Sequence, residues 1–369
     1  MRNGLTTTRK IIALIIALPV LVASFAFALS SVTISRTIAT EGTLNPQNTM
    51  FDGFLIGAGS ETWNNLDELN SNFQMNMTLG TSWIGSQDDL YGWWSNYFFP
   101  STLWSQNCVP HLITWQYFKN TWGIDYSAAN LSLHKQEWLD DLAFMANHLK
   151  GPDDGNHVVL VSLETEFNCY ENIDYAYWNQ LMIESRNAIK QVAPNILVSY
   201  CIGGWEWRFN DVSMNGVLAS SMSSMDFMSF QAIWGAYGVE KTKWLAGDDL
   251  RTNYGAVNWE NRFGVKPHVW DYMVDDIAAN VEALSEYNPR VLLAHFCIND
   301  YLWGLQAQVD VVNEIAQRAT ALQANGLFGM SWMNYKDVPD AADGGFLFAD
   351  GSSKPCLSAW VDLVNQVNT

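Results

Sequence analysis

From residue 50 onward the chain alternates short β-rich apolar runs with amphipathic helical stretches, and this alternation constrains its fold more than any other feature. The runs with strand character are 54–58, 76–84, 111–116, 157–165, 196–202, 226–233, 290–297 and 327–333. Between them the apolar residues follow helical spacing. Over 175–192, Tyr175, Trp178, Leu181, Met182, Ile189 and Val192 fall near one face. Over 275–287 the face is Ile277, Val281 and Leu284, and over 306–323 it is Val309, Val312, Ile315, Ala319 and Leu322. A last helix is expected over 357–367. Strands that alternate with helices pair in parallel. Eight such units within 50–369 predict an α/β fold, a single-domain (β/α)8 TIM barrel. The stretch 85–107 is aromatic-rich and reads as a long loop with a helix. The alternative, a doubly wound open sheet, would place a glycine-rich phosphate loop after its first strand. Gly57-Ala58-Gly59 lacks the third glycine and the downstream acid of that motif.

The amino terminus carries a different signal. Arg2, Arg9 and Lys10 precede an apolar run, 11–29, broken only by Pro19, and Ala26-Phe27-Ala28 offers a cleavage site. The run is also long enough to span a bilayer. Residues 1–29 are therefore expected to be a signal peptide or a membrane anchor, 30–49 a polar linker, and 50–369 the barrel. Either outcome puts the body outside the cell or at its surface. The five cysteines show no C-x-x-C spacing, which excludes a zinc site or redox dithiol of that type and leaves one or two disulfides open. Asn76-Met77-Thr78 and Asn130-Leu131-Ser132 are glycosylation sequons.

Charge narrows the partner. Nineteen Lys and Arg oppose 38 Asp and Glu, a formal net charge of −19, so the basic face that nucleic-acid binding needs is missing. Charged residues are only 15%, against roughly 25% in an ordinary domain. With 18 Trp, the chain suits a neutral, polar ligand, and a sugar is the obvious case. No metal or cofactor is expected, because no histidine or phosphate-loop spacing calls for one.

In a TIM barrel the chemistry lies at the carboxyl ends of the strands. The fourth run ends in Ser162-Leu163-Glu164-Thr165-Glu166-Phe167-Asn168. Glutamates at i and i+2 of a strand share a side, with Cα atoms about 6.5–7 Å apart. Two close carboxylates cannot ionise equally, so one becomes a proton donor near neutral pH. Trp83, Trp115, Trp205, Trp207, Trp234, Trp303 and Trp332 all fall at or just past expected strand ends, where aromatic faces could stack on sugar rings. Asn168, Gln231 and Asp337 join them as candidate substrate-binding residues, and Asp300 and Glu206 as further candidate carboxylates. His295 reads as a hydrogen-bonded core or cleft residue rather than a metal ligand.

Pro110-His111-Leu112-Ile113-Thr114-Trp115, then Glu166-Phe167-Asn168, a long Trp-containing helix and Trp332 together resemble the clan A (β/α)8 glycoside hydrolases, above all the family-26 β-mannanases. That resemblance implies that Glu166 is the general acid/base and Trp332 the floor of the central subsite. It also implies a nucleophilic Glu at the end of the seventh strand, where this chain has none. Asp300 is the nearest carboxylate there, and Glu206 and Asp337 are the other candidates. A weaker likeness to family-18 chitinases rests on Ser162-x-Glu164-x-Glu166, on Asp226–Gln231 and on Gly329-Met330-Ser331-Trp332. It implies substrate-assisted cleavage without that nucleophile. Against it, Cys201-Ile202-Gly203-Gly204-Trp205 resembles that family's third-strand motif but lies after the fourth strand.

The expectation is thus a secreted or surface-anchored hydrolase of β-linked polysaccharide, of mannan or glucan type. Glu166 would act as acid/base, Asp300 or Glu206 as nucleophile or base, and Glu164 would tune Glu166. Trp115, Trp205, Trp234 and Trp332 would line the subsites. A non-catalytic carbohydrate-binding barrel is the alternative.

Overall fold

A computed structural model describes residues 53–92, 98, 100–151, 157–169, 172–203, 212–234, 269–300, 304–337 and 344–368. The expected signal or anchor segment and the polar linker lie outside these residues. The described strands are β1 (Leu55–Gly59), β2 (Leu79–Ile84), β3 (Val109–Trp115), β4 (Val159–Thr165), β5 (Ile196–Ile202), β6 (Met228–Trp234), β7 (Val291–Ile298) and β8 (Leu327–Trp332). Each pairs in parallel with its sequence neighbours, and β1 pairs with β8, which closes a barrel. All eight expected strands are present within a few residues of their expected bounds. The open-sheet alternative is excluded by the β1–β8 ladder.

The glycines of β1 explain the motif that resembled a phosphate loop. A Cβ on Gly57 would lie 1.7 Å from the Leu79 carbonyl oxygen, and one on Gly59 would lie 2.2 Å from that of Met333. They are there so that β1 can press against its neighbours.

The helical faces also match their spacing. The helix Tyr175–Val192 buries Trp178, Leu181, Met182 and Ile189, and its N-cap Asp174 accepts from the Tyr177 N–H at 3.0 Å. The helix Leu305–Ala324 buries Val312, Ile315, Ala319 and Leu322 as expected, with Val311 fully buried where Val309 is only partly so. Among the described residues of the stretch 85–107 are two short helices, Gln87–Gly92 and Pro100–Trp104. Helices and outward strand residues enclose the larger apolar core, in which Leu163, Phe167, Trp178, Phe296, Trp332 and Trp360 are buried. A second cluster, with Leu79, Val109, Leu160, Phe227 and Leu292, fills the barrel's inside.

Above that apolar layer the lumen turns polar. Thr81, His111, Ser162, Ser229 and Ser199 form a buried hydrogen-bonded chain across β2, β3, β4, β6 and β5, with contacts of 2.8–3.2 Å. Burial, and then the proximity of His295, keep the His111 imidazole well below its usual value, so it is neutral there. Cys108, Cys201, Cys297 and Cys356 are buried, and no disulfide joins any two of these four.

Candidate active site

β4 does not run straight to its end. Ile113 faces Ser162, but Trp115 faces Thr165, so β4 carries one residue more than β3 over that stretch. The extra residue makes a bulge, with Glu164 in the left-handed region at φ 45° and Glu166 there again at φ 70°. This breaks the two-residue period on which a shared side for the two glutamates depended. Glu164 turns to the helical shell, where it accepts from the Tyr117 N–H at 2.9 Å and the Tyr126 hydroxyl at 2.8 Å. It is wholly buried, and burial raises its carboxyl to about 8 against the pull of the hydrogen bonds from Tyr126, Tyr117 and Phe118. One glutamate therefore does have a raised value, but burial is the cause and the other carboxylate is not. Glu164 thus takes its hydrogen bonds from Tyr117 and Tyr126, away from the donors that hold Glu166.

Glu166 points the other way, into the barrel mouth. Its Oε2 accepts from Trp115 Nε1 at 3.0 Å and Gln116 Nε2 at 2.7 Å, and its Oε1 accepts from Gln231 Nε2 at 2.7 Å. Since Gln231 lies on β6, two strands away from β4, this last bond crosses the lumen. Among the described residues, these three N–H donors fix the carboxyl group in one orientation. The residue is 5% exposed, while the Trp115 ring beside it is 41% exposed and offers an open aromatic face at the mouth. Phe167 anchors the turn from below by stacking on Trp178 at 4.3 Å. Asn168 holds it from the side: it accepts from the Gly203 N–H at 2.8 Å and donates to the Gly203 carbonyl at 3.3 Å. Asn168 thus braces the segments that follow β4 and β5. Gln116 falls at the expected end of the third strand, but the sequence assigns it no role. Its neighbour Trp115 was singled out, and the turn that aims both donors at one carboxylate places Gln116 at φ 49°, which no periodicity reveals.

The other candidates fall elsewhere. Asp300 and Asp337 come together, but on Lys354, whose fully buried Nζ lies 2.9 Å from Asp300 Oδ2 and 2.7 Å from Asp337 Oδ1. Asp337 also accepts from the Gly345 N–H at 2.8 Å, and burial outweighs these partners in raising its carboxyl. Both acids are held in an ion-paired network, and neither shares a donor with Glu166. Trp332 is fully buried between Phe296, Phe346 and Trp360, and its indole N–H donates to the Gly344 carbonyl, so its ring is core and not a subsite floor. Asp226 precedes β6 at the opposite end of the barrel, paired with Arg186 and Lys190. That position serves stability. Glu206 and Trp205 lie outside the described residues, as does the side chain of Trp234. Among the described residues no group of His, Cys, Asp and Glu is arranged to hold a metal.

A buried carboxylate at the carboxyl end of β4, beside an exposed tryptophan in the mouth of a parallel eight-stranded barrel, is the arrangement of a barrel enzyme's ligand site. Solved structures share the fold. An exo-β-1,4-mannosidase from Opitutaceae bacterium strain TAV5 superposes with a TM-score of 0.58 at 12% identity over 85% of this chain, which spans 60% of that one. An endo-β-1,4-mannanase from Thermotoga petrophila gives 0.57 at 12% identity, over 88% of this chain and 79% of the other. Xylanase 10B from Thermotoga maritima gives 0.53 at 12% identity, over 87% and 97%. At such identity the likeness is one of fold. No family model matches the sequence, and no curated protein matches it.

Proposed function

We propose that the chain is a glycoside hydrolase of the clan A barrel kind, acting on a β-linked polysaccharide. One observation carries the reading above all: Glu166 is held by Trp115, Gln116 and Gln231 where a glycosidic oxygen entering the mouth would meet it. The structural neighbours add support, since those named above are described as enzymes of mannan or xylan. In this mechanism Glu166 transfers a proton to the leaving oxygen, and the open face of Trp115 stacks on the adjoining sugar. Of the carboxylates named from the sequence as its partner, Asp300 and Asp337 are both paired with Lys354, which leaves Glu206 for that role. Export follows the basic and apolar pattern of residues 1–29 and would be read by locating the protein in medium, membrane or cytosol.

The test is turnover on mannan, xylan, glucan and chitin oligomers. Glu166→Gln should lower kcat by about 10²–10⁴ on whichever substrate the parent cleaves, and Glu206→Gln should also lower it strongly. Unchanged turnover in Glu166→Gln would sink the assignment. The rival reading, a carbohydrate-binding barrel without catalysis, is favoured by the ion pairing of Asp300, the one carboxylate at the end of β7. Binding of an oligomer by the parent with no reducing end released from any of the four would decide for it.

A further inference from the structure

We propose that His295 is a ligand-binding residue of this mouth, whose Nε2 hydrogen-bonds a hydroxyl of the sugar seated beside Glu166. The inference rests on the carbohydrate reading above and deepens it. Three observations meet at this side chain. First, β7 is bulged as β4 is: Phe230 faces Leu293 while Gln231 faces His295, and Leu293 faces Met330 while Phe296 faces Trp332. The extra residue lets His295 turn inward, although Phe296 next to it packs outward on Trp332 and Trp360. Second, the imidazole meets the edge of Trp83 with ring centroids 5.5 Å apart. Trp83 is on β2, which is not a neighbour of β7, so the contact crosses the lumen. Third, His295 Nε2 is buried and has no hydrogen-bond partner, the only imidazole nitrogen so placed among the described residues.

The position is next to the candidate catalytic group. Gln231 and His295 are register partners, one strand spacing of ~4.8 Å apart, and the Gln231 amide holds Glu166. A polar atom left bare in a packed interior is costly unless something completes its hydrogen bond. Burial lowers the His295 imidazole to about 3, so the ring is neutral throughout the working pH range of a folded protein. A neutral imidazole nitrogen suits a hydroxyl, which can donate or accept. It does not suit an ammonium or a carboxylate as a lasting charged partner. His295 also stands on the strand where the clan A resemblance implies a glutamate. The group there is polar and uncharged, suited to positioning a sugar rather than to supplying the carboxylate that the resemblance implies.

The experiment uses the full chain and the four oligomers named above. In the parent, the Nε2 resonance of His295 should shift when the preferred oligomer is titrated in, at constant pH. His295→Leu should weaken that oligomer's Kd and raise its KM by about ten-fold, the effect of one hydrogen bond, while its thermal midpoint stays level or rises. His295→Asn, which keeps a polar group in reach, should recover part of the affinity. If the parent cleaves an oligomer and neither the resonance nor Kd responds, His295 is only a core residue and the inference is overturned while the hydrolase reading stands. If the parent neither binds nor cleaves any oligomer, the functional reading fails and this inference fails with it. Should His295→Leu not fold, the resonance shift in the parent decides alone.

Discussion

Glu164 and Glu166 are separated by a single threonine, yet one is sealed among tyrosines and the other aimed into the mouth. Three of the seven non-glycine residues with positive φ among the described residues are Gln116, Glu164 and Glu166. Neither Glu nor Gln is a natural occupant of that region, and such strain concentrates where geometry serves a site. The buried Glu164 makes a prediction of its own. Its carboxyl sits at about 8 in the fold against 4.5 in an open chain, so between these values the folded state holds a proton that the unfolded state has lost. Its contribution to stability is then complete below about pH 4.5 and is lost as pH rises through about 8. Glu164→Gln cannot titrate. The thermal midpoint of the parent should therefore fall relative to this variant as pH is raised across that window, and the two curves should run parallel below it. Parallel curves throughout would show that the Glu164 carboxyl does not carry this linkage.

Elements keep their places through close contact. β1 is a five-residue strand, and its middle glycine has no room for any side chain, because the Leu79 carbonyl occupies the space. Gly57→Ala should therefore destabilise the barrel by at least the ~1–3 kcal/mol typical of overpacking. Gly92→Ala, at a position with nothing nearby, supplies the control in the same denaturant titration. A similar loss in both would argue against the steric reason. The helix faces were legible from spacing because burial on one side is what their periodicity records: Trp178, Leu181, Met182 and Ile189 are buried as expected. Gln308 was not legible. It is fully buried in its helix and donates to the Ile298 carbonyl at 2.9 Å, a partner set by how helix and strand dock.

At the scale of the whole molecule, two layers meet in the lumen: apolar side chains below, then hydroxyls, imidazoles and amides towards the mouth. The carboxyl ends of β7 and β8 are tied by Lys354, which bridges Asp300 and Asp337 just before the helix Pro355–Val367. Lys354→Met would leave two carboxylates buried without their cation, and should cost about 3–5 kcal/mol in denaturant unfolding. Adding Asp300→Asn and Asp337→Asn should restore much of that loss; if Lys354→Met alone is as stable as the parent, the bridge is not needed. The alternation of strand and helix determined the barrel by itself, since a parallel pair needs a crossover and eight of them close on one another. The carboxyl end of β4 was legible for the same reason, and with it Glu166. Which way each side chain faces was decided only in three dimensions. A one-residue bulge in β4 separates Glu164 from Glu166, another in β7 turns His295 inward, and aromatic packing withdraws Trp332 from the cleft. A strand's two-residue period holds only while its ladder is regular, and these ladders break where the site begins.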